Sequence, residues 1–169
     1  MEPTRVLAID PGIMTGYAGA EIRNGKLHYT VFQTTDEVDD LWRRLKVLEP
    51  RFIVCESFEF RGGHQKAATG IEYFPIQLIG VARLYAEVAD HQCACFLQSP
   101  SQGKGYYTNK MLSAHGYIVR GMATKVPHGI DALRHLFQWF TFGPGYKYNE
   151  ALAKEPFAVM HEQGELFSV

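Results

Sequence analysis

The stretch RVLAIDPGIMTGYA, residues 5–18, decides how the chain begins to fold. Four apolar residues run directly into Asp10 and a Pro-Gly pair, which predicts a short buried strand that stops at a turn. A second strand, Gly16–Ile22, and a third, Lys26–Gln33, are joined by Asn24-Gly25, a strong hairpin signal. We therefore expect the chain to open with three antiparallel strands.

The rest of the chain alternates between helical and strand patterns. Thr35 or Asp36 is expected to cap a helix that ends at about Leu48. The following segments are predicted as strand Arg51–Glu56, helix Ile71–Asp90, strand Cys93–Leu97, short helix Tyr107–Ala114 and, after a basic connector through Lys125, helix Pro127–Phe140. This order predicts an α/β fold with a mixed five-stranded sheet, its N-terminal three-stranded part antiparallel, flanked by helices. Residues 1–142 would form this domain and residues 143–169 a C-terminal tail.

Length and composition favour one enzyme-sized domain in a reducing compartment. The 169 residues, 46% of them hydrophobic, suffice for one sizeable core. No apolar run approaches the roughly 20 residues that cross a bilayer, and the N-terminus lacks the pattern of a signal peptide. Three cysteines, two of them at 93 and 95, do not form a disulfide framework. We expect no membrane association and a cytoplasmic location.

The net charge of −1 hides an uneven distribution along the chain. Residues 1–60 carry 7 Lys/Arg against 10 Asp/Glu, residues 61–128 carry 7 against 3, and residues 129–169 carry 3 against 5. A basic middle beside clustered acids suits an enzyme that holds a polyanion near metal ions. Ordinary variation of charge along a chain is the alternative.

Two predicted strands end in acids, Asp10 and Glu56. The carboxyl ends of parallel strands are where ligands gather in such sheets, and carboxylate oxygens suit Mg²⁺ or Mn²⁺. For Asp10 alone, a simple Asp-Pro-Gly turn is an equally good interpretation. Glu56 could merely emerge from the core, and Glu59 competes with it from the following loop.

The sequence PHGIDALRHLFQW places further polar groups on one helix. His128, Asp131 and His135 stand at spacings of three and four and so share a face, while Ile130, Leu133, Phe137 and Phe140 form an apolar stripe for packing on the sheet. Since lone histidines on helices are usually structural or solvated, His135 is a supporting candidate only. The combination of two strand-end acids with a helix-borne His and Asp is much more specific than any single member.

Three motifs together resemble the RuvC-type Holliday-junction resolvases, which have the ribonuclease H-like fold. RVLAIDPGIMTGYA resembles their first-strand motif, VCESFEF their second acidic strand and HGIDALRHL their final catalytic helix. The motifs occur in the family's order across roughly residues 5–140. The segment Ile76–Glu87 also resembles the family's helix after the second acid.

The resemblance implies a set of roles. Asp10 and Glu56 would be the central metal-binding acids and Asp131 the helix acid, holding two Mg²⁺ or Mn²⁺ ions per active site. His128 stands where many members have Asp and some have His; it would bind the second ion or hydrogen-bond its water. The family acts as a homodimer that nicks paired strands of four-way DNA junctions, leaving 5′-phosphate and 3′-hydroxyl ends. The small size suits a phage-encoded branch.

A Gly-rich, basic and aromatic stretch after Glu56 is predicted to be an exposed loop that contacts DNA. Its candidates are Phe58, Phe60, Arg61, His64 and Lys66. The resemblance implies an aromatic wedge in the junction centre, for which Phe58 and Phe60 are equal candidates. Packing of Phe58 in the core, with Phe60 as a loop anchor, is the alternative.

A second basic and aromatic set lies further along the chain. It comprises Lys104, Tyr106, Tyr107, Lys110, Arg120 and Lys125. Ser99–Gly105 is rich in glycine and serine, which predicts a mobile DNA-contacting loop. For each residue alone, an ordinary solvated surface is the simpler interpretation.

The tail contains QGELF, residues 163–167, which resembles peptides that bind bacterial sliding clamps. A motif this short often arises by chance, and the tail could equally pack on its own domain or on a dimer partner.

Three rival functions share parts of this pattern. A ribonuclease H-like nuclease acting on RNA or RNA–DNA hybrids would carry the same acids. An actin-like kinase also ends its first strand in an acid-glycine turn, but it needs a second domain. A non-catalytic DNA-binding module would not require Asp10, Glu56 and Asp131 together.

Overall fold

Five strands and seven helices make up the part of the chain that the structure, a computed structural model, describes: residues 4–23, 26–58 and 70–148. The elements are β1 (Thr4–Asp10), β2 (Thr15–Arg23), β3 (Lys26–Thr34), α1 (Val38–Leu48), β4 (Phe52–Glu56), α2 (Gly70–Val88), β5 (Ala94–Gln98), α3 (Pro100–Tyr106), α4 (Asn109–Ala114), α5 (Met122–Lys125), α6 (Pro127–Phe142) and α7 (Gly145–Tyr148).

The five strands form one mixed sheet in the order β3-β2-β1-β4-β5. The first three strands are antiparallel neighbours, whereas β4 and β5 run parallel to β1. This confirms the predicted α/β architecture. Because β1 pairs Ile9 with Cys55 of β4, the acids that follow them come to the same edge of the sheet. Glu56 in turn pairs with Gln98, the last residue of β5.

Alternating side chains of the strands build two cores, one on each face of the sheet. In β1, Val6 and Ala8 face the layer that contains α6, while Leu7 and Ile9 face α1 and α2. The predicted apolar stripe of α6 is buried in the first of these cores. The helix is thereby fixed along the sheet, with its first turn near the carboxyl end of β1.

Two glycines let α6 come unusually close to the sheet. A Cβ added at Gly16 of β2 would overlap the backbone carbonyl of His128. A Cβ at Gly129 would lie 2.7 Å from the carbonyl oxygen of Phe32 in β3. Side chains at these positions would therefore push the first turn of α6 away from the strands. Gly16 and Gly129 set the position of His128.

The first helix begins slightly later than predicted. Its N-cap is Glu37, because Glu37 and Asp40 form a capping box in which the Glu37 amide donates to Asp40 Oδ2 at 2.8 Å. Asp36 is instead buried below the helix, where it accepts a 2.5 Å hydrogen bond from the hydroxyl of Tyr17 and pairs with Arg44. The expectation that Thr35 or Asp36 caps the helix is wrong.

The expectation of a mobile loop at Ser99–Gly105 is also wrong. Most of these residues belong to α3. Ser99 is the N-cap, its amide donates a hydrogen bond to Gln102 Oε1 at 2.7 Å, and Pro100 occupies the first turn. The helix packs against α6. The segment that composition presents as a loop is thus a helix that packs on α6.

The first residues of the predicted tail include a short helix. The short α7 follows Gly143 and packs on α6, with Gly145 against the ring of Trp139. Residues 149–169, including the clamp-like motif, lie outside the described residues. No helix in the described ranges is long and apolar enough to cross a membrane.

Candidate active site

A buried acid stands at the end of β1, beside the acid that ends β4. Asp10 is 8% exposed. Its pKa is raised to about 6, first because burial disfavours the charged carboxylate and second because the negative charge of Glu56 lies close by. The charge of Asp131 on α6 adds to this rise. The structure thus places Asp10 within electrostatic reach of Glu56 and Asp131, the other two acids that the sequence analysis selected.

His128 meets Asp10 from the first turn of α6. Its Nδ1 lies 3.0 Å from Asp10 Oδ2, a contact that opposes the rise in the pKa of Asp10. Its backbone amide donates to Gln33 Oε1 at 3.0 Å, which ties the helix start to β3. The imidazole itself is exposed. His128 therefore borders the acid cluster on its solvent side.

Glu56 contacts a second imidazole, that of His135, on its buried side. The sequence analysis kept His135 only as a supporting candidate. His135 Nε2 lies 2.7 Å from Glu56 Oε2, and Nδ1 lies 2.7 Å from Gln98 Oε1. His135 is fully buried. Gln98 was missed by the sequence analysis, because the predicted strand stopped at Leu97, whereas β5 ends at Gln98.

Asp131 is bound by two cations of the chain. Lys104 Nζ of α3 lies 3.2 Å from Asp131 Oδ2, and the guanidinium of Arg134 contacts Oδ1. Arg134 is itself fixed, since it donates to the carbonyl of Tyr107 at 2.8 Å and to Asn109 Oδ1 at 2.5 Å. Although partial burial opposes the charged form of Lys104, its pKa is raised because the three acids attract its ammonium group. Lys104 thus lies at the acid cluster.

Comparison with known proteins gives a match in structure and none in sequence. No protein-family model matches the chain, and no curated protein sequence does. A structure of Thermus thermophilus RuvC matches with a TM-score of 0.53 at 20% identity, covering 80% of this chain and 92% of that one. RuvC of the same organism in complex with a Holliday junction substrate matches with a TM-score of 0.52 at 14% identity and the same coverage.

The chain has the fold of RuvC. A fowlpox virus Holliday junction resolvase, with a TM-score of 0.48 at 14% identity, covers 88% of this chain and 100% of its own. The assignment of the fold rests on the two Thermus structures. At these identities the likeness establishes the ribonuclease H-like fold that the three sequence motifs imply.

The acid cluster of this RuvC-like fold fits divalent metal ions in its donor chemistry. Carboxylate oxygens are the ligands that Mg²⁺ and Mn²⁺ prefer. Repulsion from Glu56 and Asp131 contributes to the high pKa of Asp10, and a bound cation would offset that repulsion. Within residues 4–23, 26–58 and 70–148, no three His, Cys, Asp or Glu side chains already converge as a ready metal site. Each acid is engaged instead by a nitrogen of the chain itself.

Apart from Lys104 and Tyr107, the expected DNA contacts fall into three groups. Phe58 is half-buried and packs against the core beside α1 and α2. Lys110 and Lys125 are exposed on α4 and α5. The remaining candidates after Glu56 lie outside the described residues: Phe60, Arg61, His64 and Lys66.

The structure corrects the expectation for Tyr107. This residue is 2% exposed, its ring packs against Phe137, and its hydroxyl lies 2.5 Å from Thr141 Oγ1. A ring buried in this way has no free face on which a base could stack. The expectation that Tyr107 contacts DNA is therefore wrong.

The raised pKa of Asp10 gives a testable effect on stability. Since the pKa rises from 3.8 to about 6 on folding, the folded protein favours the neutral acid, and ionisation above pH 6 costs about 3 kcal/mol. We expect Asp10→Asn to gain stability over wild type in metal-free buffer at pH 8, and this gain to shrink as the pH falls towards 4. Urea denaturation in EDTA at several pH values measures it. A difference that does not vary with pH would show that Asp10 is not under this strain.

Proposed function

We propose that this chain is a divalent-metal-dependent endonuclease that cuts branched DNA, with four-way junctions as its preferred substrate. The observation that carries the proposal is that Asp10, at the carboxyl end of β1 in a sheet with the RuvC fold, lies within electrostatic reach of Glu56 and Asp131. The Thermus RuvC of the same fold has been captured with a Holliday junction substrate. The motifs in residues 5–18 and 128–136 support the same activity.

The reaction would be hydrolysis of a phosphodiester by a site with two metal ions. Asp10, Glu56 and Asp131 would hold the ions as anionic oxygen ligands. Two bound Mg²⁺ or Mn²⁺ ions would supply an activated water and stabilise the leaving 3′ oxygen. No other cofactor is required.

Residues of the chain would orient the acids and attract the DNA backbone. His128 holds Asp10 through Nδ1, so that Nε2 is the atom with which it would bind the second ion or a water. Lys104, with its exposed ammonium beside Asp131, would meet the phosphate. Lys110 and Lys125 would extend this positive surface.

A homodimer is part of the proposal, because paired nicking of a junction needs two active sites. Exposed apolar side chains run along one side of α2: Tyr73, Ile76, Leu84 and Val88. Gly80 lies in the same stripe, with open space where a Cβ would stand. An apolar stripe with a small residue at its middle suits close packing against a second copy of the helix.

A comparison of substrates tests the function. With Mg²⁺ or Mn²⁺, we expect a synthetic four-way junction to be cut at least about tenfold faster than duplex DNA, equivalent to about 1.4 kcal/mol. A plasmid cruciform should yield linear product in a single encounter if a dimer nicks both strands. Flaps and RNA–DNA hybrids complete the set. Preference for the hybrid would favour the ribonuclease alternative, and junction binding without any cleavage would favour a DNA-binding module.

A further inference from the structure

The imidazole of His135 lies inside the hydrophobic core, directly behind the proposed catalytic acid Glu56. It is fully buried among the apolar residues of α6, and both of its ring nitrogens have polar partners. Nε2 lies 2.7 Å from Glu56 Oε2 and Nδ1 lies 2.7 Å from Gln98 Oε1. Because a buried polar group without partners is costly, these two contacts account for how the core accommodates the ring.

Hydrogen-bond chemistry determines which partner donates in the contact between His135 and Glu56. An ionised carboxylate only accepts hydrogen bonds, so Nε2 must carry a hydrogen and donate it. Nδ1 then either accepts from the amide group of Gln98, after a half-turn of that amide, or donates to its oxygen when the ring is protonated. In both arrangements the same N–H points at Glu56 Oε2. The contact therefore orients the carboxylate whichever form the ring takes.

Helix α3 is shaped to cover this ring. Gly103 is buried against it, and a Cβ at that position would lie 2.7 Å from Nε2 and 2.8 Å from Cε1 of His135. Glycine is a poor helix former, and the close approach explains its place in the middle of α3. The next residue, Lys104, reaches Asp131. One short helix therefore closes over His135 and also presents a cation to the acid cluster.

We propose that His135, oriented by Gln98, is a positioning residue that holds one oxygen of Glu56 and so presents the other to a divalent cation. This inference rests on the proposed function, since it assigns Glu56 a metal. Hydrogen-bond partners behind a metal ligand commonly contribute about 10- to 100-fold in metal affinity. The same order of effect is expected here.

Mn²⁺ binding to the full chain, measured by calorimetry and electron paramagnetic resonance, tests the proposal without relying on cleavage. We expect His135→Leu to weaken Mn²⁺ binding about 10- to 100-fold. His135→Gln, which keeps an N–H donor, should recover much of the loss. His91→Leu is the matched control, because His91 contacts the carbonyl of Pro50 just before the start of β4, whereas Glu56 lies at the other end of that strand. This variant should bind Mn²⁺ as wild type does.

The outcomes separate this inference from the function on which it rests. Wild-type affinity in a folded His135→Leu would overturn the positioning role and leave the nuclease intact. Should that variant fail to fold, Gln98→Leu replaces it, with a several-fold loss of Mn²⁺ affinity expected and an unchanged affinity counting against the role. A wild-type chain that neither binds Mn²⁺ nor cuts branched DNA would overturn the proposed function itself.

Discussion

Asp10→Asn is expected to lower junction cleavage by about 10³-fold or more while junction binding persists. Asparagine keeps the shape of the side chain and can still hydrogen-bond to His128, whose Nδ1 lies 3.0 Å from Asp10 Oδ2. It lacks the negative charge with which Asp10, beside Glu56 and Asp131, would hold metal ions. The substitution therefore removes the chemistry and leaves the fold and the DNA surface in place.

Single-turnover cleavage of a labelled four-way junction gives the rate, and gel shift in EDTA gives the binding. Asp90→Asn is a suitable control, because Asp90 is an exposed acid just after α2 and its loss should leave both values unchanged. Undiminished cleavage by Asp10→Asn would remove Asp10 from the centre of the site. Loss of junction binding in parallel with cleavage would instead point to a role in holding DNA.

Local patterns in the sequence were sufficient to select most residues of the candidate site. Asp10 and Glu56 each end an apolar strand. Both the strand and the acid at its end can be recognised from a few consecutive residues. His128 and Asp131 follow from helical spacing. The structure adds that these two groups reach the strand ends, because α6 lies across β1 and β2 with its first turn at that edge.

The contacts behind Glu56 could not be predicted in the same way. His135 and Glu56 are 79 residues apart, and His135 and Gln98 are 37 apart. Their meeting depends on the pairing of Glu56 with Gln98 in the sheet, which no local pattern encodes. Helix periodicity alone cannot distinguish a buried histidine that contacts an active-site residue from one that serves only packing.

The error at Ser99–Gly105 has a different cause. Glycine and serine content outweighed the helix-start signals of the same segment, namely Pro100 in the first turn and Gln102 three residues after Ser99. The glycine that suggested a loop, Gly103, is required by the ring of His135 beneath it. Only the tertiary packing explains this glycine, and composition alone could not reveal it.

Gly16→Ala is expected to lower the free energy of unfolding by about 3 kcal/mol or more. The added Cβ would overlap the carbonyl carbon and oxygen of His128. These are backbone atoms, so no change of rotamer can relieve the overlap, and either β2 or the first turn of α6 must move. Urea denaturation followed by circular dichroism measures the loss. Gly105→Ala is the control, since a Cβ there meets nothing within 4 Å. This change lies in α3 and should leave stability unchanged or raise it slightly, because alanine is the better helix former.

The same substitution should also lower cleavage in the molecules that remain folded, for a reason unlike that of Asp10→Asn. Moving the first turn of α6 separates His128 from Asp10 and shifts Asp131 relative to the strand-end acids, although every acid keeps its charge. Lowering the temperature restores folded protein but does not restore this geometry. We therefore expect Gly16→Ala to stay impaired per folded molecule at 10 °C. Full recovery of cleavage there would mean that the close approach of α6 to β2 serves stability alone.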